Sequence, residues 1–473
     1  MIKNPFINKI SDAEFFGKVS SDITEHNIQQ NNDIVAYWTK NTIIPSGTLY
    51  AYTGITSGNI WHEISDQDLE STTFYGLPAN TTLSGDIHFY AKNIDFRNAV
   101  FCGAASSKCK NAYITLENVN TSGACYCSMG EIDNYYVHLI SGVYSTLSNT
   151  TSNFYIFQRG SGLGNTKVTT NNIYFTCDAG EFNLSPYIGP SVKTKAAATS
   201  KVCEINNIYA TFNDGTGTTN AISGSIFCGG ICAGQTNVDV ASFNEINVDV
   251  NGGKWFDSIN LINAVGIFGG PAVTNGRVTI NSINMELNGG DVSTLFGGGY
   301  PQGNGQIDVL GDVNITINNG TIGNVAGLGT ASKTLNNGYF RYHGNIYLHL
   351  NGGNIINIVH PGVRHSDWIN TNKEVLYGEA YIIFNGNTDY SCYFQGNILH
   401  NETTSEPNCH IIFENYTGSL NGAKIIGFKD IQFTKNCSVY VENVTFIHNV
   451  DTLTLDLTHR SVDSSLLPLI RRI

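Results

Sequence analysis

One short pattern recurs six times in this chain and limits what the chain can fold into. Each copy has apolar residues at alternate positions and ends in a turn of Asn or Asp with Gly. The copies are IYFTCDAG from Ile173, IYATFNDG from Ile208, INVDVNGG from Ile246, INMELNGG from Ile283, VNITINNG from Val313 and IYLHLNGG from Ile346. Their starts are separated by 35, 38, 37, 30 and 33 residues. A motif repeated at this period predicts a solenoid or a similar array.

Each repeat contains material for three strands. A glycine cluster follows several of the Asn-Gly turns, as in IFCGG from Ile226, IFGG from Ile267, LFGGG from Leu295 and VAGLG from Val325. A third apolar stretch, such as GRVTINSI from Gly276, leads into the next repeat. The order strand, turn, strand, glycine turn, strand predicts one coil of a three-sided β-helix. A single coil cannot bury its apolar side, whereas stacked coils share a core.

The predicted fold class is therefore all-β, a right-handed parallel β-helix (β-solenoid) with about 30–38 residues per coil. A propeller or a sandwich is the alternative, although propeller blades are antiparallel and lack this turn pattern. We predict that residues 1–80 form an N-terminal cap or attachment region, residues 81–460 the β-helix and residues 461–473 a C-terminal capping tail. Caps are expected because solenoid ends expose unpaired edges.

Composition excludes several classes of protein. The 473 residues carry 25 basic and 38 acidic side chains, a net charge of −13, so we expect no nucleic-acid partner. The start of the chain lacks the apolar region of a secretory signal, and no run reaches the ~18 apolar residues of a membrane span. The eleven cysteines do not have zinc-site spacing, and we expect most of them to be small buried apolar residues.

The segments INVDVNGG and INMELNGG, with their trailing IFGG and LFGGG, resemble right-handed parallel β-helix proteins. That group includes pectate-lyase-like enzymes, phage tailspikes and bacterial surface adhesins. The resemblance covers roughly residues 85–460. It implies either a virion protein with an attached N-terminus, commonly a homotrimer, or an exported adhesin, or a polysaccharide lyase or hydrolase with carboxylates on an exposed face.

Alignment of the repeats predicts two columns of outward side chains. The first column contains Tyr174, Tyr209, Asn247, Asn284, Asn314 and Tyr347, and the second contains Thr176, Thr211, Asp249, Glu286, Thr316 and His349. Asp249 and Glu286 would lie on adjacent coils, ~5 Å apart, which is the separation of the two carboxyl groups in retaining glycoside hydrolases. They are the candidate catalytic residues. The simpler interpretation is that outward positions of a sheet must be polar.

We predict glycan contacts from Tyr174, Tyr209, Asn247, Asn284, Tyr347 and His349. The polar segment VHPGVRHSDWINTNKE from Val359 interrupts the repeats, and its Arg364 and Trp368 are further ligand-binding candidates. No metal site and no cofactor are predicted, because His343, His349, His360 and His365 lack metal-ligand spacing.

These features predict a receptor-binding protein of the phage tail-fibre or tailspike kind that displays a polar face to a cell-surface polysaccharide. The alternatives are a polysaccharide-degrading tailspike and a bacterial surface adhesin. The expected partners are the glycan, other virion tail proteins and two further copies of the chain in a homotrimer. The expected location is the virion tail or the extracellular space, without membrane insertion.

Overall fold

The computed structural model describes residues 108–447 except for 122–124, 129–130, 145–153, 160–167, 184–185, 194–202, 218–224, 235–237, 257–264, 331–336, 363–373, 397–407 and 435–436. Outside this range it describes the backbone of isolated strands between Ile34 and Gly103 and of Thr452–Leu455. The helix-compatible segment before Ile34 and the tail 461–473 lie outside the described residues.

The described residues form strands and no helix. Before the six repeats the strands are β1 (Ile34–Thr39), β2 (Leu49–Ala51), β3 (His62–Ile64), β4 (Thr73–Tyr75), β5 (Ile87–Phe96), β6 (Asn98–Gly103), β7 (Lys108–Thr121), β8 (Cys125–Ser128), β9 (Glu131–Leu139), β10 (Gly142–Tyr144) and β11 (Phe154–Arg159). The repeats contain β12 (Val168–Cys177), β13 (Gly180–Phe182), β14 (Pro186–Lys193), β15 (Cys203–Phe212), β16 (Gly215–Gly217), β17 (Ile226–Phe227), β18 (Ile231–Ala233), β19 (Asp239–Val250), β20 (Lys254–Trp255), β21 (Ile267–Phe268), β22 (Ala272–Leu287), β23 (Asp291–Phe296), β24 (Tyr300–Val309), β25 (Val313–Ile317), β26 (Thr321–Ala326), β27 (Tyr339–Tyr342), β28 (Ile346–Leu350), β29 (Asn354–His360) and β30 (Glu374–Leu376). The last strands are β31 (Ala380–Gly386), β32 (Tyr393–Gln395), β33 (Cys409–Tyr416), β34 (Ser419–Asn421), β35 (Lys424–Ile426), β36 (Asp430–Phe433), β37 (Tyr440–Glu442), β38 (Thr445–Ile447) and β39 (Thr452–Leu455).

Most of these strands belong to one long parallel sheet of 35 strands. Each long strand pairs in parallel with its equivalent in the repeats before and after it, as β15 does with β12 and β19. Among the described residues, β2 and β3 form the antiparallel pair, and β34 pairs with β37 separately. The fold is therefore all-β with parallel strands, and this connectivity fits a β-solenoid. We call the strands of one repeat a rung.

The register is the one that the repeat alignment predicts. Ile208 pairs with Ile173 and Ile246, and Ile283 pairs with Ile246 and Val313. Rungs near both ends are shorter than the predicted 30–38 residues: Asn134 contacts Asn111, 23 residues earlier, and His410 contacts Asp430, 20 residues later. Hydrogen bonding fixes the distance between neighbouring strands, so rungs with different numbers of residues still stack at the same spacing. The additional residues of the longer rungs are accommodated mainly in the turns.

Strands also reach into the region predicted as a cap. Strand β1 pairs with β5 from Ile34 opposite Ile87, and β4 pairs with β6. The boundary at residue 80 stays a prediction, since much of residues 1–86 lies outside the described residues.

The core is a set of apolar columns inside the rungs. Ile208, Ile246 and Ile283 are fully buried and stacked on successive strands. Each such side chain contributes roughly 1.5–3 kcal/mol by leaving water. The nine cysteines whose side chains the structure describes are buried thiols, which confirms the prediction for these residues.

A ladder of side-chain amides fixes the turn after each long strand. Each amide donates to the residue one rung earlier, at 2.8–3.1 Å, in the series Asp178, Asn213, Asn251, Asn288, Asn318 and Asn351. The glycines that follow give the turn its conformation: Gly290 has a φ of 82°, and a Cβ there would lie 2.6 Å from the backbone of Gly252. The Asn-Gly turns of successive repeats are thus stacked and joined by side-chain hydrogen bonds.

Asn318 and Asn319 allow a matched test of this ladder. Asn318 donates to Asn288 and accepts from Asn351, both at 2.8 Å, whereas its equally exposed neighbour Asn319 makes neither bond. We expect Asn318→Ala to lower the free energy of unfolding by about 1–2 kcal/mol, at about 0.5–1.5 kcal/mol per lost bond. Asn319→Ala should change it by less than about 0.5 kcal/mol. Urea denaturation measures both free energies of unfolding. Equal losses in Asn318→Ala and Asn319→Ala would show that the ladder does not stabilise the turn.

Candidate functional site

The candidate site lies on the outward side of the long strands β9, β12, β15, β19, β22, β25, β28, β31 and β33, which we call the ladder face. Both predicted columns form there as expected. Tyr174, Tyr209, Asn247, Asn284, Asn314 and Tyr347 are successive strand partners, and so are Thr176, Thr211, Asp249, Glu286, Thr316 and His349. Residues in one strand that are two positions apart point the same way, so the two columns lie side by side.

Two stacks of tyrosine rings occupy the ends of the first column. The first stack contains Tyr113, Tyr136, Tyr174 and Tyr209, with ring centroids 4.6–5.0 Å apart and planes within 9° of parallel. In the second stack, Tyr347 lies 5.2 Å from Tyr381, which lies 4.9 Å from the His410 ring. Rings inside a stack cover each other, so only a terminal ring has a face that no other ring of the column covers.

Three asparagines separate the two stacks. Asn284 donates to Asn247 Oδ1 at 3.0 Å and to Glu245 at 2.9 Å, and Asn314 donates to Asn284 at 2.9 Å. Amide side chains are much shorter than tyrosine, so the surface is lower here than at either stack. We call this region the asparagine notch: its floor is Asn247, Asn284 and Asn314, and its end walls are the ring faces of Tyr209 and Tyr347.

The notch has an unused hydrogen-bond donor. Asn247 accepts from Asn284, but its own Nδ2 is buried and has no hydrogen-bond partner among the described residues. The preceding residue in its column is Tyr209. Tyr209 presents an aromatic ring to Asn247, where an asparagine would present an amide oxygen as acceptor. The ladder of amides therefore ends where the stack of rings begins.

Carboxylates surround the notch. Glu245 lies beside Tyr209 and contributes, with burial, to raising the pKa of that phenol. Asp249 and Glu286 lie in the second column on adjacent strands, and Asp312 is exposed one rung further on. Neither column contains Lys or Arg among the described residues. The notch is therefore rich in hydrogen-bond acceptors and negatively charged.

The candidate catalytic pair is adjacent, as predicted from the repeats. Asp249 is half-buried and Glu286 is exposed. Burial, followed by the charge of Glu286, raises the pKa of Asp249 above its usual value. Partners on adjacent strands are about 4.8 Å apart, which is near the carboxyl separation that retaining glycosidases use.

His349 continues the second column beyond Thr316 and lies beside Tyr347, with ring centroids 6.2 Å apart. Burial lowers its pKa, and Glu414 opposes this effect. Arg364 and Trp368, the predicted ligand-binding residues of the loop, lie outside the described residues. No group of three His, Cys, Asp or Glu side chains in the described part of the chain is arranged to hold a metal ion.

Sequence reasoning missed Tyr113, Tyr136 and Tyr381, which extend the tyrosine stacks. The signal for them was available: each occupies the second position of its segment, in AYITLENVN, YYVHLISG and AYIIFNGN, as Tyr209 does in IYATFNDG. The six clearest repeats run from Ile173 to the repeat that starts at Ile346, so an alignment of these six leaves out the outer rings of both stacks.

The position of Asp249 predicts a pH-dependent effect of removing its charge. Because its folded-state pKa is raised, ionisation of Asp249 opposes folding once the pH exceeds that pKa. We expect Asp249→Asn to raise stability at pH 7 by a few tenths of a kcal/mol, in the range of about 0.2–1 kcal/mol for cross-strand pairs. The gain should disappear below the usual pKa of an aspartate, where the carboxyl is protonated in both states.

Urea denaturation at pH 7 and near pH 3.5 measures this difference. Asp291→Asn is the control, because Asp291 is an exposed aspartate at the start of strand β23 and belongs to neither column of the ladder face. A loss of stability in Asp249→Asn at pH 7 would mean that the Asp249 carboxylate stabilises the ladder face and is not under repulsion.

No described helix has the length and hydropathy that crossing a bilayer requires. Comparisons of the chain with protein-family models, with curated proteins and with solved structures found no match.

Proposed function

We propose that this protein is a non-enzymatic receptor-binding protein of the phage tail-fibre or tailspike kind, and that its ladder face binds a cell-surface glycan at the asparagine notch. The observation that carries the proposal is the interruption of the tyrosine column. Three short amides lie between two ring faces on which no further ring stacks, those of Tyr209 and Tyr347.

The proposed architecture is a right-handed parallel β-helix with three strands per rung. Parallel pairing at intervals of one repeat supports it. In the repeat from β15 to β18, strands β16 and β17 correspond, through β20 and β21, to the single strand β23, so the four strands form three sides. Crossover connections between parallel strands of one sheet are right-handed in nearly all proteins.

The dimensions of the notch suit a short run of sugar rings. Tyr209 and Tyr347 are four strand steps apart, about 19 Å at ~4.8 Å per step. A pyranose has apolar C–H faces that pack on aromatic rings and hydroxyls that both donate and accept. Tyrosine offers the ring, and the Asn amides and nearby carboxylates offer donors and acceptors.

The notch is also ordered before any ligand arrives. Asn284 is held by three side-chain hydrogen bonds, two that it donates and one that it accepts from Asn314. Side chains that are already fixed lose little entropy on binding, so more of the contact energy appears as affinity.

The setting of the proposed function comes from the resemblance of the repeats. The proposed setting is a virion tail or the extracellular space, with other tail proteins as partners and a homotrimer as the assembly. A bacterial surface adhesin would use the same face on the same kind of ligand. Expression together with tail and baseplate proteins would support the virion setting, and retention on a bacterial surface would support the adhesin.

A polysaccharide-degrading tailspike is the second candidate. The observation that favours it is the adjacency of Asp249 and Glu286 beside the notch, with a raised pKa at Asp249. A protonated carboxylic acid next to a carboxylate is the arrangement that retaining hydrolysis requires.

The two candidates predict different results for one substitution. If the protein is a hydrolase, Asp249→Asn should abolish the release of reducing ends from a polysaccharide while binding is kept. If it only binds, the wild-type chain releases no reducing ends from any polysaccharide to which it binds, and Asp249→Asn changes nothing in that assay.

A tyrosine placed in the notch tests the proposed binding function. Asn314→Tyr should stack on Tyr347, as Tyr381 already does at 5.2 Å, and so cover the ring face that the ligand uses. We expect affinity for host cells or their extracted polysaccharide to fall at least tenfold, a loss of about 1.4 kcal/mol. Binding of the fluorescently labelled chain, followed by flow cytometry, measures it.

Asn421→Tyr is the control, because Asn421 is an exposed strand residue outside the long sheet. Circular dichroism should show unchanged β-structure in both variants. Undiminished binding by a folded Asn314→Tyr variant would exclude the notch as the glycan site.

A further inference from the structure

A second group of aromatic residues lies at the corner of the rungs that precedes the ladder face. In the earlier rungs this corner carries its own hydrogen-bonded amide ladder, made of Asn111, Asn134, Asn172, Asn207, Asn244 and Asn281. The ladder ends at Asn281. In the next rungs the corner residues are Leu310, His343 and Tyr377, whose backbone N–H groups each bond one rung back.

The replacement residues form an exposed ridge. Leu310 is 49% exposed and Tyr377 is 59% exposed, and His343 between them is exposed as well. The Tyr377 ring stacks on the His343 ring, with centroids 4.8 Å apart and planes 16° from parallel. One face of Tyr377 is thus supported by the imidazole, while the ring as a whole remains open to solvent. We call Leu310, His343 and Tyr377 the corner ridge.

Polar groups of both charges lie next to the ridge. The Asp308 carboxylate accepts from the Tyr339 hydroxyl at 3.1 Å, and its other oxygen is 3.8 Å from His343 Nε2. The exposed guanidinium of Arg341 lies 3.9 Å from the centroid of the Tyr339 ring. Arg341 makes no ion pair among the described residues, whereas Arg277 is paired with Asp239.

Arg341 is on the same side of its strand as His343. Residues 341 and 343 are exposed and Tyr342 between them is buried, as alternation in a strand requires. Arg341 is also the strand partner of Asp308. A hydrogen-bond donor, a carboxylate and a supported aromatic ring therefore lie within one patch that spans adjacent rungs.

The composition of this patch differs from that of an ordinary exposed corner. A single exposed Tyr or Leu needs no explanation. Here three consecutive rungs give up a hydrogen-bonded asparagine ladder for larger groups that form no such ladder and gain little burial. The stack of Tyr377 on His343 accounts for part of the exchange, and a ligand would account for the large exposed area that remains.

We propose that the corner ridge is a second sugar-binding site, which takes a neutral pyranose with one ring face packed on Tyr377. Arg341 donates to ring hydroxyls, and the Asp308 carboxylate accepts from them. The presence of both a cation and an anion favours an uncharged polyol over an acidic sugar. The proposal shares with the proposed function only the class of ligand, since its residues belong to neither column of the ladder face.

Saturation-transfer NMR on the full chain tests this site. The probes are the methyl glycosides of glucose, galactose, mannose and N-acetylglucosamine, with acyclic galactitol as the control ligand because it lacks a ring face. We expect at least one pyranose, and not galactitol, to receive saturation from the protein. Tyr377→Ala should reduce that signal at least fivefold, and Tyr377→Phe should retain it.

Tyr440→Ala is the matched control, because Tyr440 is 51% exposed and lies on the separate strand β37. It should leave the signal unchanged. Arg341→Gln should reduce the signal without altering the fold, since the Arg341 side chain is exposed.

The Asn314→Tyr variant separates this proposal from the proposed function. A pyranose signal that persists in Asn314→Tyr and is lost in Tyr377→Ala assigns the sugar to the ridge. A signal lost in Asn314→Tyr and kept in Tyr377→Ala overturns the ridge and leaves the notch in place. Equal effects of Tyr377→Ala and Tyr440→Ala, or no signal with any pyranose, would also overturn it.

Discussion

Every feature of this protein depends on the parallel pairing of rungs in one fixed register. That pairing brings residues 30–38 positions apart into contact, so a single residue type repeated in the sequence becomes a column on the surface. A shift of one residue would turn the buried Ile208, Ile246 and Ile283 outward and the tyrosines inward. The apolar columns and the amide ladders prevent that shift. The tyrosine stacks and the asparagine notch follow from the fixed register.

The sequence predicted the register because two independent signals agreed. Alternation indicated which residues face the core, and the Asn-Gly turns aligned one repeat with the next. Asp249 and Glu286 could therefore be placed side by side without a structure. The corner ridge could not be predicted in this way, because Leu310, His343 and Tyr377 share no residue type. Their common position is visible only from backbone hydrogen bonds, and the repeats that contain them differ in length.

The amide ladders also have a direction. Asn213 donates to Asp178, and Asn251 to Asn213; the other ladders likewise donate toward the N-terminus, as Asn134 does to Asn111. A chain of aligned amides strengthens each of its hydrogen bonds. Such a chain must end in an acceptor at its N-terminal side. At Asp178 the acceptor is a carboxylate, which also lies 2.6 Å from His138 Nε2.

The asparagine notch ends differently, and this difference links the fold to the proposed site. At its N-terminal end, Asn247 has no carboxylate to receive its amide and meets the Tyr209 column instead, so a buried donor is left unused. An unsatisfied buried donor costs about 1–3 kcal/mol, whereas the other ladders avoid this cost. Because this Nδ2 is buried, the Asn247 side chain must turn outward before a sugar hydroxyl accepts from it while the sugar ring packs on Tyr209. A hydrogen bond that the fold leaves unmade at the end of the notch is therefore one that a ligand would supply.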